Sequence, residues 1–206
     1  MWIKARHWAS AIRKNDMKQV EKLLEKGTDV NAKDKYGVPA LVRAAEQGRV
    51  KIVKLLLAKG AEINARTEAR GYGQAGRTAL MDASWWGKYD VVKLLLDNGS
   101  DINAKDQNGE TALISASWTG KSEVVKLLLE KGASVNEKTN NGLTALMRAA
   151  ARDHLAIAKL LLENGADIDA KDAKGETALR TAQTSRSRDV VKLLLDKGAG
   201  VNIENN

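Results

Sequence analysis

Residues 106–138 read DQNGETALISASWTGKSEVVKLLLEKGASVNEK, and this stretch holds every element of a unit that recurs along the chain. It opens with the turn Asp106–Gly109 and continues into a first apolar segment, 111–118, which a glycine ends. A second segment, 124–129, reads VVKLLL and stops at Gly132. Two short apolar segments that each end at glycine predict a helix–turn–helix unit.

The glycine that ends the second segment recurs every 33 residues, apart from one spacing of 39. The glycines of this series are Gly27, Gly60, Gly99, Gly132, Gly165 and Gly198. A leucine triplet precedes five of them. Self-similarity at this period is typical of a stacked helical solenoid, in which neighbouring units complete a shared core. The predicted fold class is therefore all-α.

The head of a unit carries turn and capping signals: Asp-x-x-Gly, and then threonine or proline where the first helix starts. The whole pattern, Asp-x-x-Gly-x-Thr-x-Leu, Ala, Gly, Val-Val-Lys-Leu-Leu-Leu and Gly-Ala-x-Val-Asn-Ala, resembles the ankyrin repeat. The resemblance covers all of the chain and implies a single ankyrin-repeat solenoid domain, 1–206, with short β-turn fingers. The predicted units are 1–33 (N-terminal cap), 34–66, 73–105, 106–138, 139–171 and 172–206 (C-terminal cap), with an insertion near 67–72. Polar residues in the first and last units lead us to expect a complete array.

Six extra residues separate the second and third units. One interpretation is a tolerated loop insertion, since lengthening an exposed loop costs little free energy. The other is a longer finger that presents Arg70 and Tyr72 to a ligand, because insertions in repeat proteins often lie on the binding face.

We predict no catalytic residue, no metal site and no cofactor. The chain has no cysteine, and its two histidines, His7 and His154, lie in units one and five. Neither histidine has a metal-ligand spacing with another His, Cys or acidic cluster. Residues 71–76 spell Gly-x-Gly-x-x-Gly but follow no predicted strand, so the dinucleotide-binding motif fails its structural test. We therefore expect a protein that is not an enzyme.

The sequence also bears on location. No apolar run reaches the roughly 18 residues that a membrane helix needs. The first nine residues lack the apolar core of a signal peptide, and the lack of cysteine suits a reducing compartment. We expect a cytoplasmic monomer that does not insert into membranes.

The tryptophans depart from the repeated pattern. Trp85 and Trp118 occupy the same position of adjacent units, and Trp86 follows the first of them. The other units have Glu46, Ala151 and Thr184 at this position. Polar residues there indicate a water-facing site, and the resemblance places it in a concave groove. The three rings would then form an apolar patch that binds a partner. The alternative is that they fold back and cover the core.

Asp82 lies three residues before Trp85 and four before Trp86, on the same helical face. The same position is polar in the other units: Arg43, Ser115, Arg148 and Thr181. This row is therefore expected to face the groove. An acid beside indole rings suits a cation, so we hypothesise a cationic group of the partner near Asp82. The alternative is an ion pair of Asp82 with Arg43 or Arg77. The further candidates for partner contact are Arg43, Arg77, Arg148, Arg152, Tyr36 and Tyr72.

The net charge of +8 includes a lysine just before each leucine triplet. These lysines are Lys54, Lys93, Lys126, Lys159 and Lys192. The resemblance places them on the convex back. A regular row without interleaved aromatic residues is typical of a solvated face, although a weak, salt-sensitive contact with anions or nucleic acid stays open.

The function predicted is a non-enzymatic scaffold that binds another protein or peptide in its groove. Its aromatic hot spot would lie in units three and four. One alternative is a small-ligand module, with the tryptophans and Asp82 as a cage for a quaternary ammonium or a sugar. Another is anion or nucleic-acid binding by the lysine row. An engineered binder is a further possibility, against which the irregular caps, the insertion and the unequal repeats argue.

Overall fold

The computed structural model describes residues 2–68 and 75–200, which form paired helices and no strand. The helices are α1 Trp2–Arg13, α2 Met17–Glu25, α3 Ala40–Glu46, α4 Val50–Ala58, α5 Ala79–Trp85, α6 Tyr89–Asp97, α7 Ala112–Trp118, α8 Ser122–Glu130, α9 Ala145–Ala150, α10 Leu155–Glu163, α11 Ala178–Thr184 and α12 Arg188–Asp196. The prediction of an all-α fold with two helices per unit is confirmed.

In the second to sixth repeats, the residue before the first helix is a threonine or a proline that favours the start of a helix. In four repeats a threonine hydroxyl accepts a hydrogen bond from the backbone N–H three residues later. These threonines are Thr78, Thr111, Thr144 and Thr177. Pro39 holds the corresponding place before α3, with a φ of −61° that suits a helix start. The four threonine hydroxyls satisfy backbone N–H donors that the first turn of a helix leaves without a helical partner.

The turn between the two helices of a repeat requires a left-handed residue. Three repeats use a glycine there, such as Gly120 with a φ of +73°. The first, fifth and sixth repeats have Asn15, Asp153 and Arg186 instead, with φ values of +55°, +55° and +59°. A left-handed conformation is less favourable for residues with a β-carbon than for glycine, and asparagine and aspartate tolerate it better than arginine does.

The chain divides into two units, Met1–Gln107 and Asn108–Asn206. In the first unit, α1, α3 and α5 pack side by side, and α2, α4 and α6 form a second layer. In the second unit, α7, α9 and α11 form one layer and α8, α10 and α12 the other. The core of each unit consists of apolar side chains on these helices, among them Leu41, Ile52, Leu80 and Leu95 in the first and Leu113, Leu128, Leu146 and Leu161 in the second.

Asparagine side chains in the loops connect successive repeats. The Oδ1 atom of Asn31 accepts a hydrogen bond of 2.8 Å from the backbone N–H of Glu62. In the second unit, Asn136 accepts a bond of 2.8 Å from the N–H of Asp167 and donates one of 3.0 Å to the carbonyl of Gly165. The recurrent asparagine is therefore a structural tie, which explains its place in the repeated pattern.

The finger turns share one hydrogen-bond pattern. The backbone N–H of Asp34 donates to the carbonyl of Val38 at 2.9 Å, and its carbonyl accepts from the N–H of Gly37 at 2.9 Å. Thr139 and Asp172 make the same two bonds in the fifth and sixth repeats. The pattern therefore identifies the first residue of a repeat without reference to its side chain.

Thr67 makes this pair of bonds in the third repeat, with the carbonyl of Arg77 at 3.0 Å and the N–H of Gly76 at 2.9 Å. By this hydrogen-bond pattern, Thr67 and Arg77 correspond to Asp34 and Val38, with six more residues of sequence between them. We propose on this ground that the third unit begins at Thr67 and not at residue 73. Two residues predicted to line the longer finger, Arg70 and Tyr72, lie outside the described residues.

Candidate functional site

The first helices of the third and fourth repeats each end at a tryptophan. Trp85 is the last residue of α5 and Trp118 is the last residue of α7, and both side chains are half-buried. Trp86 follows α5 and is 52% exposed. Each of the three rings therefore leaves apolar surface in contact with solvent, as a role in partner binding requires.

In the first unit, a buried arginine connects two acids and an indole ring. Nε of Arg77 donates a hydrogen bond of 2.5 Å to Oδ1 of Asp82, and Nη1 lies 3.7 Å from Oδ2 of Asp106. The guanidinium carbon is 5.6 Å from the ring centroid of Trp85. Of the two interpretations of Asp82, the ion pair with Arg77 is the one present in the structure. Because both side chains are mostly buried, the pair is not a fully solvated surface contact.

Arg43 is engaged in the same way at the head of the second repeat. Its Nη2 and Nε atoms lie 2.8 and 3.2 Å from Oδ2 of Asp34, and Nη1 donates to Glu46 at 3.1 Å. Burial opposes its charge, but hydrogen bonds and charges of Asp34 and Glu46 outweigh burial and raise the pKa of Arg43 above its ordinary value. Asp34 also accepts from the N–H groups of Tyr36 and Val38. Arg43 therefore holds the finger turn against α3.

In the second unit, two arginines border one tryptophan ring. The guanidinium carbon of Arg152 lies 4.1 Å from the ring centroid of Trp118, and that of Arg148 lies 4.8 Å from it. Arg148 belongs to α9 and is half-buried, whereas Arg152 follows α9 and is exposed. Both distances are within the range of cation–π attraction. The structure therefore brings together three of the residues that the sequence predicted as partner contacts.

Tyr36 is the remaining candidate that the structure describes. It lies in the finger turn of the second repeat and is 45% exposed. The ammonium group of Lys35 lies 4.6 Å from its ring centroid. The ring is therefore available at the surface, as a contact residue must be.

Two features of the site differ from what the sequence predicts. The Asp-x-x-Gly pattern predicts only a turn role for Asp34 and Asp106, but each is also close to an arginine of its repeat or of the preceding one. Ser115 was expected to face the groove with the polar row, and this expectation is wrong because the residue is fully buried. Burial of a small hydroxyl costs much less free energy than burial of a charge, so polarity alone does not report exposure at this position.

The five lysines of the predicted row all lie among the described residues. All five lysines of the row are exposed, as a solvated face would be. Across residues 8–68 and 75–200, no group of three or more histidine or acidic side chains is arranged to hold a metal ion. None of the described helices combines the length and apolar character needed to cross a bilayer.

Paired helices, repeated caps and asparagine ties define a helical repeat protein. The chain belongs to the ankyrin repeat family: the family model for ankyrin repeats in three copies matches residues 6–106 and 135–205. A second model, for ankyrin repeats in many copies, matches residues 103–146. Ankyrin repeats are generally protein–protein interaction modules, and the family is typically non-enzymatic.

Short segments of the chain are similar to parts of much longer proteins. One of 53 residues is 47% identical to an ankyrin repeat protein of fowlpox virus, FPV244. Segments of 57 and 54 residues are 47% and 46% identical to the 2-5A-dependent ribonuclease of Mus musculus and the mitochondrial disaggregase of Homo sapiens. Each match covers 26 or 27% of this chain and 8% of the relative. The similarity is that of the repeat itself.

Proposed function

We propose that this chain binds another protein, and that exposed tryptophans at the ends of the first helices are its anchors. The observation that carries the proposal is Trp118, a half-buried ring bordered by the guanidinium groups of Arg148 and Arg152. Tryptophan and arginine are the residues in which interface energy is most often concentrated. In the first unit, Trp86 is the corresponding anchor because it is the most exposed of the tryptophans whose side chains the structure describes.

The predicted contact residues differ in whether a partner can reach them or whether they are already paired within the protein. Trp86, Trp118, Arg148, Arg152 and Tyr36 present surface that a partner can reach. Arg43, Arg77 and Asp82 are positioning residues, because their charged groups are already paired within their own unit. Trp85 is intermediate, since its ring is half-buried and lies near Arg77.

A cage for a cationic small ligand receives less support. Such a ligand would have to displace Arg77 from Asp82, and so lose a charged hydrogen bond of 2.5 Å. Charged hydrogen bonds in partly buried sites are among the stronger ones. The acid that the cage would need is therefore occupied by the protein itself.

The test is a comparison of three immobilised proteins in a quantitative capture experiment from a lysate, followed by titration of each purified captured partner. The proteins are the wild type, the triple variant Trp85→Ala/Trp86→Ala/Trp118→Ala, and a control with Lys54→Ala/Lys93→Ala/Lys126→Ala. We expect a specific partner that binds the wild type and the lysine variant alike and loses affinity for the tryptophan variant. Loss only with the lysine variant, together with strong salt dependence, would instead support anion binding by the lysine row.

A further inference from the structure

The arginine–tryptophan contacts of the two units differ in whether acidic side chains balance the charge of the arginine. In the first unit, Arg77 lies beside Trp85 and its charge is balanced by Asp82 and Asp106. In the second unit, neither arginine near Trp118 lies within ion-pair distance of a carboxylate among the described residues. The same kind of contact is thus internally neutralised in one unit and carries two uncompensated positive charges in the other.

Arg148 also lacks a hydrogen-bond acceptor within the described part of the chain. Its Nε atom is buried and has no acceptor in the described part of the chain. A buried donor without an acceptor is unfavourable, because it has lost its hydration and gained nothing in return. The guanidinium of Arg148 is therefore incompletely hydrogen-bonded where it borders the ring of Trp118, and a partner's carboxylate compensates its charge from the side that is open to solvent and not at Nε.

The charge on Arg148 and Arg152 determines the sign of a suitable ligand. Two guanidinium groups at one ring repel each other, and an anionic group placed beside them removes that repulsion. A second cation would add to it. Partial burial of Arg148 and Trp118 also reduces solvent screening, so an anion gains more here than it would at a fully exposed arginine.

We infer that the protein partner of this site presents an aspartate or glutamate side chain to Arg148 and Arg152, with an apolar neighbour that packs on Trp118. A planar carboxylate fits the fork of a guanidinium group with two parallel hydrogen bonds. The inference rests on the proposed function, since it names the chemistry by which that site selects its partner.

A single nucleic acid strand is the competing ligand, because it also combines negative charge with flat rings. Successive bases need successive aromatic platforms. In the second unit, the positions that correspond to Trp118 in the next two repeats are Ala151 and Thr184, neither of which can stack on a base. One ring with two arginines beside it therefore favours one acidic side chain of a protein.

The test begins with selection of random peptides displayed on phage against the full wild-type chain. The selected peptides are then titrated by fluorescence anisotropy against four variants: Arg148→Gln, Arg152→Gln, Arg152→Lys and Arg188→Gln. Arg188 is the control because it is also exposed but lies on α12. A uridine oligonucleotide is titrated in parallel, and circular dichroism checks that each variant is folded.

We expect selected peptides rich in aspartate or glutamate, with affinity reduced at least about tenfold by Arg148→Gln and by Arg152→Gln. Arg152→Lys should lose part of the affinity, and Arg188→Gln none of it. Because Arg152 is exposed, its variants remain informative even if Arg148→Gln does not fold.

The two proposals fail in different ways. Selection of no peptide at all would overturn the proposed protein binding and the inference with it. Selected peptides without acidic residues, or with equal affinity for wild type and Arg152→Gln, would overturn the inference and leave protein binding in place. Tight binding of the oligonucleotide alone would overturn both in favour of a nucleic-acid ligand.

Discussion

Arg77 donates a hydrogen bond of 2.5 Å to Asp82 within the third repeat, and its side chain is only 9% exposed. The same guanidinium lies near Asp106 at the head of the fourth repeat and beside the ring of Trp85. One cation therefore connects a finger turn, a first helix and the start of the next repeat. These contacts support the positioning role proposed above for Arg77 and Asp82.

The substitution Asp82→Asn tests this role. It removes one of the two charges that balance Arg77 while preserving size, so we expect a loss of about 1–2 kcal/mol in the free energy of unfolding. Urea denaturation followed by circular dichroism measures the change. Glu21→Gln is the control, because Glu21 is exposed and has no ion pair among the described residues, and it should stay within about 0.5 kcal/mol of wild type.

Binding measurements on Asp82→Asn separate structure from recognition. With Asp82 as a positioning residue, affinity for a captured partner changes less than stability does. A variant of unchanged stability that no longer binds would show instead that Asp82 contacts a cationic group of the partner.

Trp118→Ala tests the proposed anchor of the second unit. Alanine stands at the corresponding position of the fifth repeat, Ala151, so the fold is expected to accept the change. Loss of a hot-spot tryptophan costs at least about 2 kcal/mol of binding free energy, which is about a 30-fold loss of affinity. Isothermal titration calorimetry with a captured partner measures it. Equal affinity for wild type and variant would remove Trp118 from the site.

The local parts of the fold could be predicted from the sequence because their causes are local. A threonine cap such as Thr144, and a glycine such as Gly132 after a leucine triplet, each act within a few residues. Their repetition at a fixed spacing then identified the family. The third unit is predicted at 73–105 because the neighbouring units have 33 residues, whereas the backbone bonds of Thr67 to Arg77 and Gly76 join residues that this spacing does not relate. Thr139, which heads the fifth repeat without an aspartate, is the signal that could have located Thr67.

The site could be predicted only in part, because pairing of charges depends on three-dimensional proximity. Comparison of repeats identified Trp118 as off-pattern, and the structure surrounds it with Arg148 and Arg152. The same comparison left Asp82 open to two interpretations. Its partner Arg77 precedes α5, so the spacing of residues along a helix did not relate the two side chains.

Asn136→Ala tests the ties between repeats. The variant loses two hydrogen bonds that connect the fourth repeat to the fifth, at 2.8 and 3.0 Å. We expect a loss of about 1–2 kcal/mol in the free energy of unfolding, measured by urea denaturation. Asn164→Ala is the matched control, since the side chain of Asn164 donates only to the carbonyl of Leu160 in α10, the helix that Asn164 follows directly. An equal loss in both variants would mean that the tie adds nothing beyond a local hydrogen bond.

Arg186→Gly tests the strained turn of the sixth repeat. Arg186 has a φ of +59° at a position where Gly48, Gly87 and Gly120 occur in other repeats, and its side chain is exposed. Glycine adopts this conformation without a steric penalty, although it also raises the entropy of the unfolded chain. We expect a net gain of about 0.5–1 kcal/mol in the free energy of unfolding, seen as a higher melting temperature.

The control for this gain is Gln183→Gly in the same repeat. Gln183 is exposed within α11, where glycine should lower the free energy of unfolding by about 1 kcal/mol. The two substitutions introduce the same residue three positions apart, so opposite signs would isolate the left-handed conformation as the cause. A destabilised Arg186→Gly variant would show that the side chain of Arg186 contributes more to the sixth repeat than its backbone strain costs.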